Sequence, residues 1–205
     1  MLKNYRMLET GVVKQIEAKP FTYDEAYVSD RYGKTYNTLS YARLGYILGV
    51  LDEKPKTVLD VGYGAGTFLE VCRDSGISSF GFDISNYDVP DGVIRVTDLL
   101  EDSYDLVTFF DSLEHFSCID FLSDLKAKFI CVSVPSCNYP TDDEWFANWK
   151  HRRPDEHLWH FSPKALTECL KTYGFEEINQ SCIEDGIRLD ERYKPNIITG
   201  VYKKV

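Results

Sequence analysis

Residues 57–66 constrain this chain more than any other stretch. Thr57-Val58-Leu59-Asp60-Val61-Gly62-Tyr63-Gly64-Ala65-Gly66 joins a short apolar run, an acid and three glycines at alternate positions. The β-branched and leucine side chains ahead of the glycines predict a buried strand that the glycine cluster stops. Gly62, Gly64 and Gly66 permit a sharp turn, a close approach of a ligand to the main chain, and tight packing on the helix that follows. A helix that begins near Thr67 aims its free N–H groups toward that ligand.

The segments that follow predict further strands and helices in alternation. Helical residues 68–73 lead to a second strand, Ser79-Phe80-Gly81-Phe82-Asp83-Ile84, and Val93-Ile94-Arg95-Val96-Thr97-Asp98-Leu99 reads as a third. A carboxylate at the end of the second strand, beside the glycine turn, can accept both hydrogen bonds of a ribose diol, which makes Asp83 the expected ribose ligand. Tyr104-Asp105-Leu106-Val107-Thr108-Phe109-Phe110 is apolar enough for burial on both faces, as in the middle of a parallel sheet. Residues 129–135 give a fifth strand, and Ser162, Pro163 and Gly174 punctuate a last large helix as N-cap, first helical residue and C-terminal stop.

Two ligand classes use such a glycine turn. A dinucleotide fold requires G-x-G-x-x-G, and here the third glycine comes one residue early, with Thr67 in its place. The pattern D-x-G-x-G-x-G resembles instead the first motif of the class I S-adenosylmethionine (SAM)-dependent methyltransferases. Asp111-Ser112-Leu113-Glu114-His115-Phe116 resembles the motif after the fourth strand in the small-molecule members, including the quinone O-methyltransferase type. His157-Leu158-Trp159-His160-Phe161-Ser162-Pro163 resembles the segment before their last large helix. The resemblance covers roughly residues 38–205. It implies that Asp60 faces the methionyl end of the cofactor, that Gly62, Gly64 and Gly66 cradle it, that Asp98 holds the adenine amino group, and that Asp111 lies beside the cofactor.

Composition sets outer bounds. At 205 residues and 43% hydrophobic content the chain suits one well-packed domain. The opening residues lead into no apolar core of signal-peptide length, and no run approaches the roughly 20 apolar residues of a membrane span, so a soluble cytoplasmic protein is expected. Six scattered cysteines form no C-x-x-C pair, and His157 and His160 lie three apart with no second ligand pair, so neither a disulfide framework nor a metal site is expected. A net charge of −10 repels phosphate backbones and argues against a nucleic-acid partner.

The acidity is uneven. Between the fifth strand and the last helix, residues 142–156 contain two tryptophans and a tight cationic cluster, and the segment leaves the sheet on the side where strand ends build a ligand crevice. Trp145, Trp149, Arg152, Arg153 and His157 are therefore the expected substrate wall, within an insertion of about 136–160. Arg suits an anionic group, because its planar fork matches an oxyanion. Residues 1–37 form an N-terminal extension whose Phe21, Tyr23, Tyr27, Tyr32 and Tyr36 suit either a lid over the cleft or the packing face of an added helix.

The expected architecture is a single doubly wound, Rossmann-like α/β domain of about seven strands. All are parallel except Ile197-Ile198-Thr199-Gly200-Val201-Tyr202, which pairs beside 175–178. Methyl transfer to a hydroxyl needs alignment and removal of a proton, and His115 is the expected general base, with His160 second. The expected function is SAM-dependent methylation of a small molecule, most simply O-methylation of an anionic or sugar-like metabolite. The alternatives are a non-catalytic SAM-binding protein of the same fold and an NAD-dependent oxidoreductase.

Overall fold

The structure is a computed structural model that describes residues 2–21, 35–85, 87–188 and 190–205. Its centre is a seven-stranded sheet. In chain order the sheet takes β3 (Thr57–Val61), β4 (Ser78–Phe82), β5 (Ile94–Arg95), β6 (Tyr104–Phe110), β7 (Ala127–Pro135), β9 (Phe175–Ser181) and β10 (Ile197–Lys204). In space they lie in the order β5-β4-β3-β6-β7-β10-β9. The first five pair in parallel, and β10 runs antiparallel to both β7 and β9. This is the expected sheet, with one reversed strand near the C-terminus. The third strand is shorter than expected: only Ile94 and Arg95 pair with β4, at an exposed edge.

Why the sheet is wound on both faces is visible in β6. Side chains of a strand alternate between faces. Leu106 and Phe110 join a cluster with Leu44, Ile47 and Leu69, whereas Val107 and Phe109 join the opposite cluster with Leu166 and Leu170. The first cluster is supplied by α1 (Thr35–Val50) and α2 (Thr67–Asp74), the second by α4 (Pro163–Thr172). α4 is punctuated as expected: Ser162 Oγ accepts from Ala165 N at 3.2 Å, Pro163 opens the helix, and Gly174 follows with φ 79°. All six cysteines are free, with Cys118 and Cys182 exposed and the others buried. Among the described residues, no helix is long and apolar enough to cross a membrane.

A second sheet was not legible in the sequence. β1 (Tyr5–Met7) and β2 (Val13–Gln15) form a hairpin whose second strand pairs antiparallel with β8 (Trp159–His160). Strands of two or three residues carry too little alternation to register as a period. Behind them, with the short helix α3 (Asp143–Asn148), Tyr5, Val13, Phe146 and Trp149 make a small separate core. Of the N-terminal aromatic residues, Tyr23, Tyr27 and Tyr32 and the side chain of Tyr36 lie outside the described residues.

One buried charge network joins the pieces. Glu184, fully buried in the turn Ile183–Gly186, accepts from Arg43 Nε at 2.7 Å, Arg43 Nη2 at 3.1 Å, Ser133 Oγ at 2.7 Å and Arg188 Nη1 at 2.8 Å. The same two arginines reach Asp111, Arg43 Nη2 at 3.1 Å and Arg188 Nη1 at 2.8 and 3.0 Å. Two cations thus balance two carboxylates, and the arginine charges hold both carboxyls below their ordinary range against the opposing effect of burial. Removing one member of such a set leaves a buried charge uncompensated, which costs about 3–5 kcal/mol. Glu184→Ala is therefore expected to lower the unfolding free energy by about that much in urea titration at pH 7. A loss below about 1 kcal/mol would show that the network carries no stability. Because both carboxyls lie below their unfolded values, the contribution is complete above about pH 4–5 and disappears as pH falls through the lower folded values.

Candidate active site

A cavity of about 780 Å³ opens at the carboxyl ends of β3, β4, β6 and β7. The turn after β3 forms one wall, and its glycines have distinct reasons. Gly62 has φ 81°, and a Cβ there would sit 2.7 Å from Ser112 Cβ. Gly66 has φ 73° and would place a Cβ 2.6 Å from Pro90 Cδ. These two are glycine because protein crowds them, and Gly66 does not line the cavity. Gly62 and Gly64 do line it; Gly64, at φ 54°, donates its N–H to Asp83 Oδ2 at 3.0 Å.

The acids around this wall differ in environment. Asp60 lines the cavity yet is almost wholly buried, and burial pushes its carboxyl up to about 6, against a hydrogen bond from Thr108 Oγ1 at 2.7 Å and the charge of Arg43. Asp83 also lines the cavity, and its Oδ1 accepts from Ser85 N at 2.8 Å and Ser85 Oγ at 2.6 Å. Those bonds and the one from Gly64 fix the carboxylate while leaving about one of its roughly four lone-pair positions open. Asp98 is not brought to the cavity: it is exposed, and its Oδ1 accepts from Leu100 N at 2.9 Å. The pairing of β5 ends at Arg95, so the loop that carries Asp98 runs away from the strand ends. Asp111 lines the cavity with φ 52°, a left-handed value uncommon outside glycine, held there by Arg43 and Arg188.

On the β6–β7 side the wall is built from histidines. His115 and His157 both line the cavity, with ring centroids 4.7 Å apart in an edge-to-face arrangement. Burial, with help from the nearby His115, His160 and His151, pushes the His157 imidazole down to about 2, so it is neutral. Glu114 adjoins them, 1% exposed, and among the described residues neither of its carboxylate oxygens has a hydrogen-bond partner. Burial and the nearby Asp111 push that carboxyl well above its ordinary range. Its main chain is tied in, because Leu158 N donates to Glu114 O at 2.7 Å and so holds the 157–158 segment against the turn Leu113–His115.

Several expected site residues, the second candidate base His160 and the substrate-wall residues Trp145, Trp149 and Arg152, are not at the cavity. His160 is buried among Tyr5, Phe146 and Trp149, with Nδ1 3.3 Å from Val13 O. Trp149 is 2% exposed and stacks with Trp145 at 5.4 Å, and both belong to the small core against the N-terminal hairpin. Arg152 donates to Ala147 O at 3.2 Å and lies over the Tyr5 ring. The tryptophans turn inward because the β1–β2 hairpin offers them an apolar partner, which a reading without that hairpin could not supply.

Arg153 and His157 line the cavity, and Arg153 pairs with Glu156 at 3.0 Å. Phe21, from the segment suited to a lid or a packing face, lines it too; Ala18, Lys19, Pro20, His151, Asp155, Arg43 and Arg188 also line it, and these were missed. His151 is buried 2.9 Å from Asn196 Oδ1, and burial pushes its imidazole down to about 4. A signal for Arg43 did exist: it falls on the same helical stripe as Leu39, Leu44 and Ile47, and a charge on a buried stripe marks a buried pair.

No protein of curated function matches the chain. Three solved structures share its fold at low identity. A chain of the complex that the Trm112 methyltransferase activator of Haloferax volcanii forms with its partner superposes with a TM-score of 0.65 at 18% identity, covering 90% of this chain and 99% of that one. Magnesium protoporphyrin IX methyltransferase of Synechocystis with bound SAH gives 0.60 at 14%, covering 91% and 90%. The 1,6-didemethyltoxoflavin-N1-methyltransferase of Burkholderia thailandensis, with bound 1,6-didemethyltoxoflavin and S-adenosylhomocysteine, gives 0.57 at 15%, covering 98% and 99%. A family model described as a methyltransferase domain matches residues 31–180, most of the chain and nearly all of the cavity wall, and by that match the chain belongs to the methyltransferase domain family.

Proposed function

We propose that the protein transfers a methyl group from S-adenosylmethionine to a small-molecule acceptor, at an oxygen of an anionic or sugar-like compound. One observation carries the reading. A single cavity joins the glycine turn, Asp60 and Asp83 on its β3–β4 side with His115, His157 and Arg153 on its β6–β7 side. Its volume of about 780 Å³ falls in the range of small-molecule and cofactor sites, roughly 300–1,000 Å³.

What S-adenosylmethionine supplies when bound is a methyl group already electrophilic on its sulfonium. The chain's residues fit that donor: Gly62 and Gly64 present main chain to the cavity, the anchored carboxylate of Asp83 suits ribose hydroxyls, and the buried carboxylate of Asp60 suits an ammonium. His115 is assigned to the acceptor hydroxyl, whose proton must be lost on transfer, a role for which an imidazole near neutral pH is suited. Arg153, part-exposed at the rim, is the residue for an anionic group on the acceptor. The Synechocystis and Burkholderia structures support a small acceptor, since each is named for one.

Calorimetric titration tests the donor. Asp83→Ala is expected to weaken binding of S-adenosylmethionine by about tenfold or more, the size of one lost charge-assisted hydrogen bond of about 1.5–3 kcal/mol. Unchanged affinity in a folded variant, or preference for NAD, would falsify the donor assignment. The affinity is also expected to fall as pH drops through about 6, where Asp60 takes up a proton and loses the charge that faces the ammonium. Asp60→Asn should flatten that profile, and a slope that survives it would assign the titration elsewhere.

The acceptor is identified by mass spectrometry of a cell-extract reaction with isotopically labelled S-adenosylmethionine. With it in hand, Arg153→Ala is expected to raise KM for the acceptor with the donor affinity nearly unchanged, whereas Arg152→Ala should leave KM alone. Equal effects of the two would remove Arg153 from the acceptor.

A further inference from the structure

Glu114 poses a problem that the reading above does not solve. A carboxyl that is 1% exposed and has neither oxygen in a hydrogen bond among the described residues is costly to bury even when protonated, and once ionised it must be paired or coordinate a cation. The nearest cationic candidate, His115 Nε2, is 4.0 Å from Glu114 Oε1, too far for a hydrogen bond. His157 stands edge-on to His115 across the same gap. One ligand atom from each of Glu114, His115 and His157 lies within 4.8 Å of the other two.

We propose that Glu114, His115 and His157 bind a divalent first-row transition-metal ion at the acceptor side of the cavity. The centre of a triangle of that size is at most about 2.8 Å from each corner, so shifts of under about 1 Å bring all three atoms to the 2.0–2.2 Å of such bonds. Two imidazoles and one carboxylate on one side of an ion are a donor set suited to Zn²⁺, Fe²⁺ or Mn²⁺, with the remaining positions free for water or substrate. Those positions face the cavity, because His115 and His157 line it while Glu114 is buried. The main-chain bond between Leu158 and Glu114 holds the two ligand-bearing segments in register. The ligands come from segments some forty residues apart, which is why their spacing in the sequence gave no sign of a site.

The site stands on its own geometry, and only its consequence rests on the methyltransferase reading. An acceptor hydroxyl bound to the ion would lose its proton more readily to solvent water in the open cavity, so that His115 would act by holding the ion and not as the base that takes the proton.

The chain is stripped with chelator, incubated separately with Zn²⁺, Mn²⁺ and Co²⁺, passed through gel filtration, and assayed for bound metal by mass spectrometry; Co²⁺ also reports its ligand field by visible absorption. About one ion per chain is expected. Glu114→Gln and His157→Asn should each weaken binding by at least about 10–100-fold, the loss that even outer-shell changes cause. Titration with S-adenosylmethionine of the same samples shows whether each variant is folded, and separates failure of the metal site from failure of the donor assignment. Substoichiometric binding of all three ions by the wild-type chain, or undiminished binding in a folded variant, overturns the proposal.

Discussion

Four charged side chains, Arg43 and Glu184 buried and Asp111 and Arg188 half-buried, set the terms for this molecule. Arg43 comes from the helix ahead of the sheet, Asp111 from the end of β6, and Glu184 and Arg188 from the turn that precedes the last strand. None could be buried alone, because an isolated ion in the interior costs several kcal/mol. Each is tolerable only where the other three are in place. The network therefore fixes α1, the β6 loop and the β9–β10 connection relative to one another, and three of its members, Arg43, Asp111 and Arg188, stand in the cavity wall. It also holds Asp111 in a left-handed backbone conformation, from which the chain turns back to place Leu113–His115 on the wall.

The division of labour across the cavity follows from the sheet. The β3–β4 side is made of residues close in sequence: Asp60, Gly62, Gly64 and Asp83 lie within two strands and one helix. The β6–β7 side is assembled from distant segments, with His115 after β6, His151, Arg153 and His157 from the long connection after β7, and residues 18–21 from the N-terminus.

That contrast explains how much of the protein was legible beforehand. Strand and helix periods are local, so β3, β6, α4 and the reversed β10 stand where alternation, glycines and caps put them. That Asp60 and Asp83 come together at one cavity wall was legible for the same reason. The distant half was not. Trp145 and Trp149 have the composition of a binding wall, but their partner is a hairpin too short to leave a pattern, and it draws them into a core. His160 looks equivalent to His157 in the sequence, yet adjacent strand positions alternate in direction, and pairing of β8 with β2 turns His160 away from the cavity. Asp98 failed for the opposite reason: the strand expected to carry it to the cavity stops pairing at Arg95.

The pairing of β2 with β8 has one more consequence. Gln15 Nε2 donates to Asp155 Oδ1 at 2.8 Å, Asp155 N returns a bond to Gln15 Oε1 at 2.9 Å, and Lys19 N reaches the same carboxylate at 3.0 Å, across some 140 residues of chain. Contacts so far apart must wait until the loop between them has been closed, whereas the glycine turn needs only its own neighbourhood. The two halves of the cavity therefore differ in when they come into being: the half beside the glycines is complete as soon as β3, α2 and β4 meet, and the opposite half exists only once residues 13–19 have found residues 155–160. Its shape is held by the seam between them rather than by the sheet.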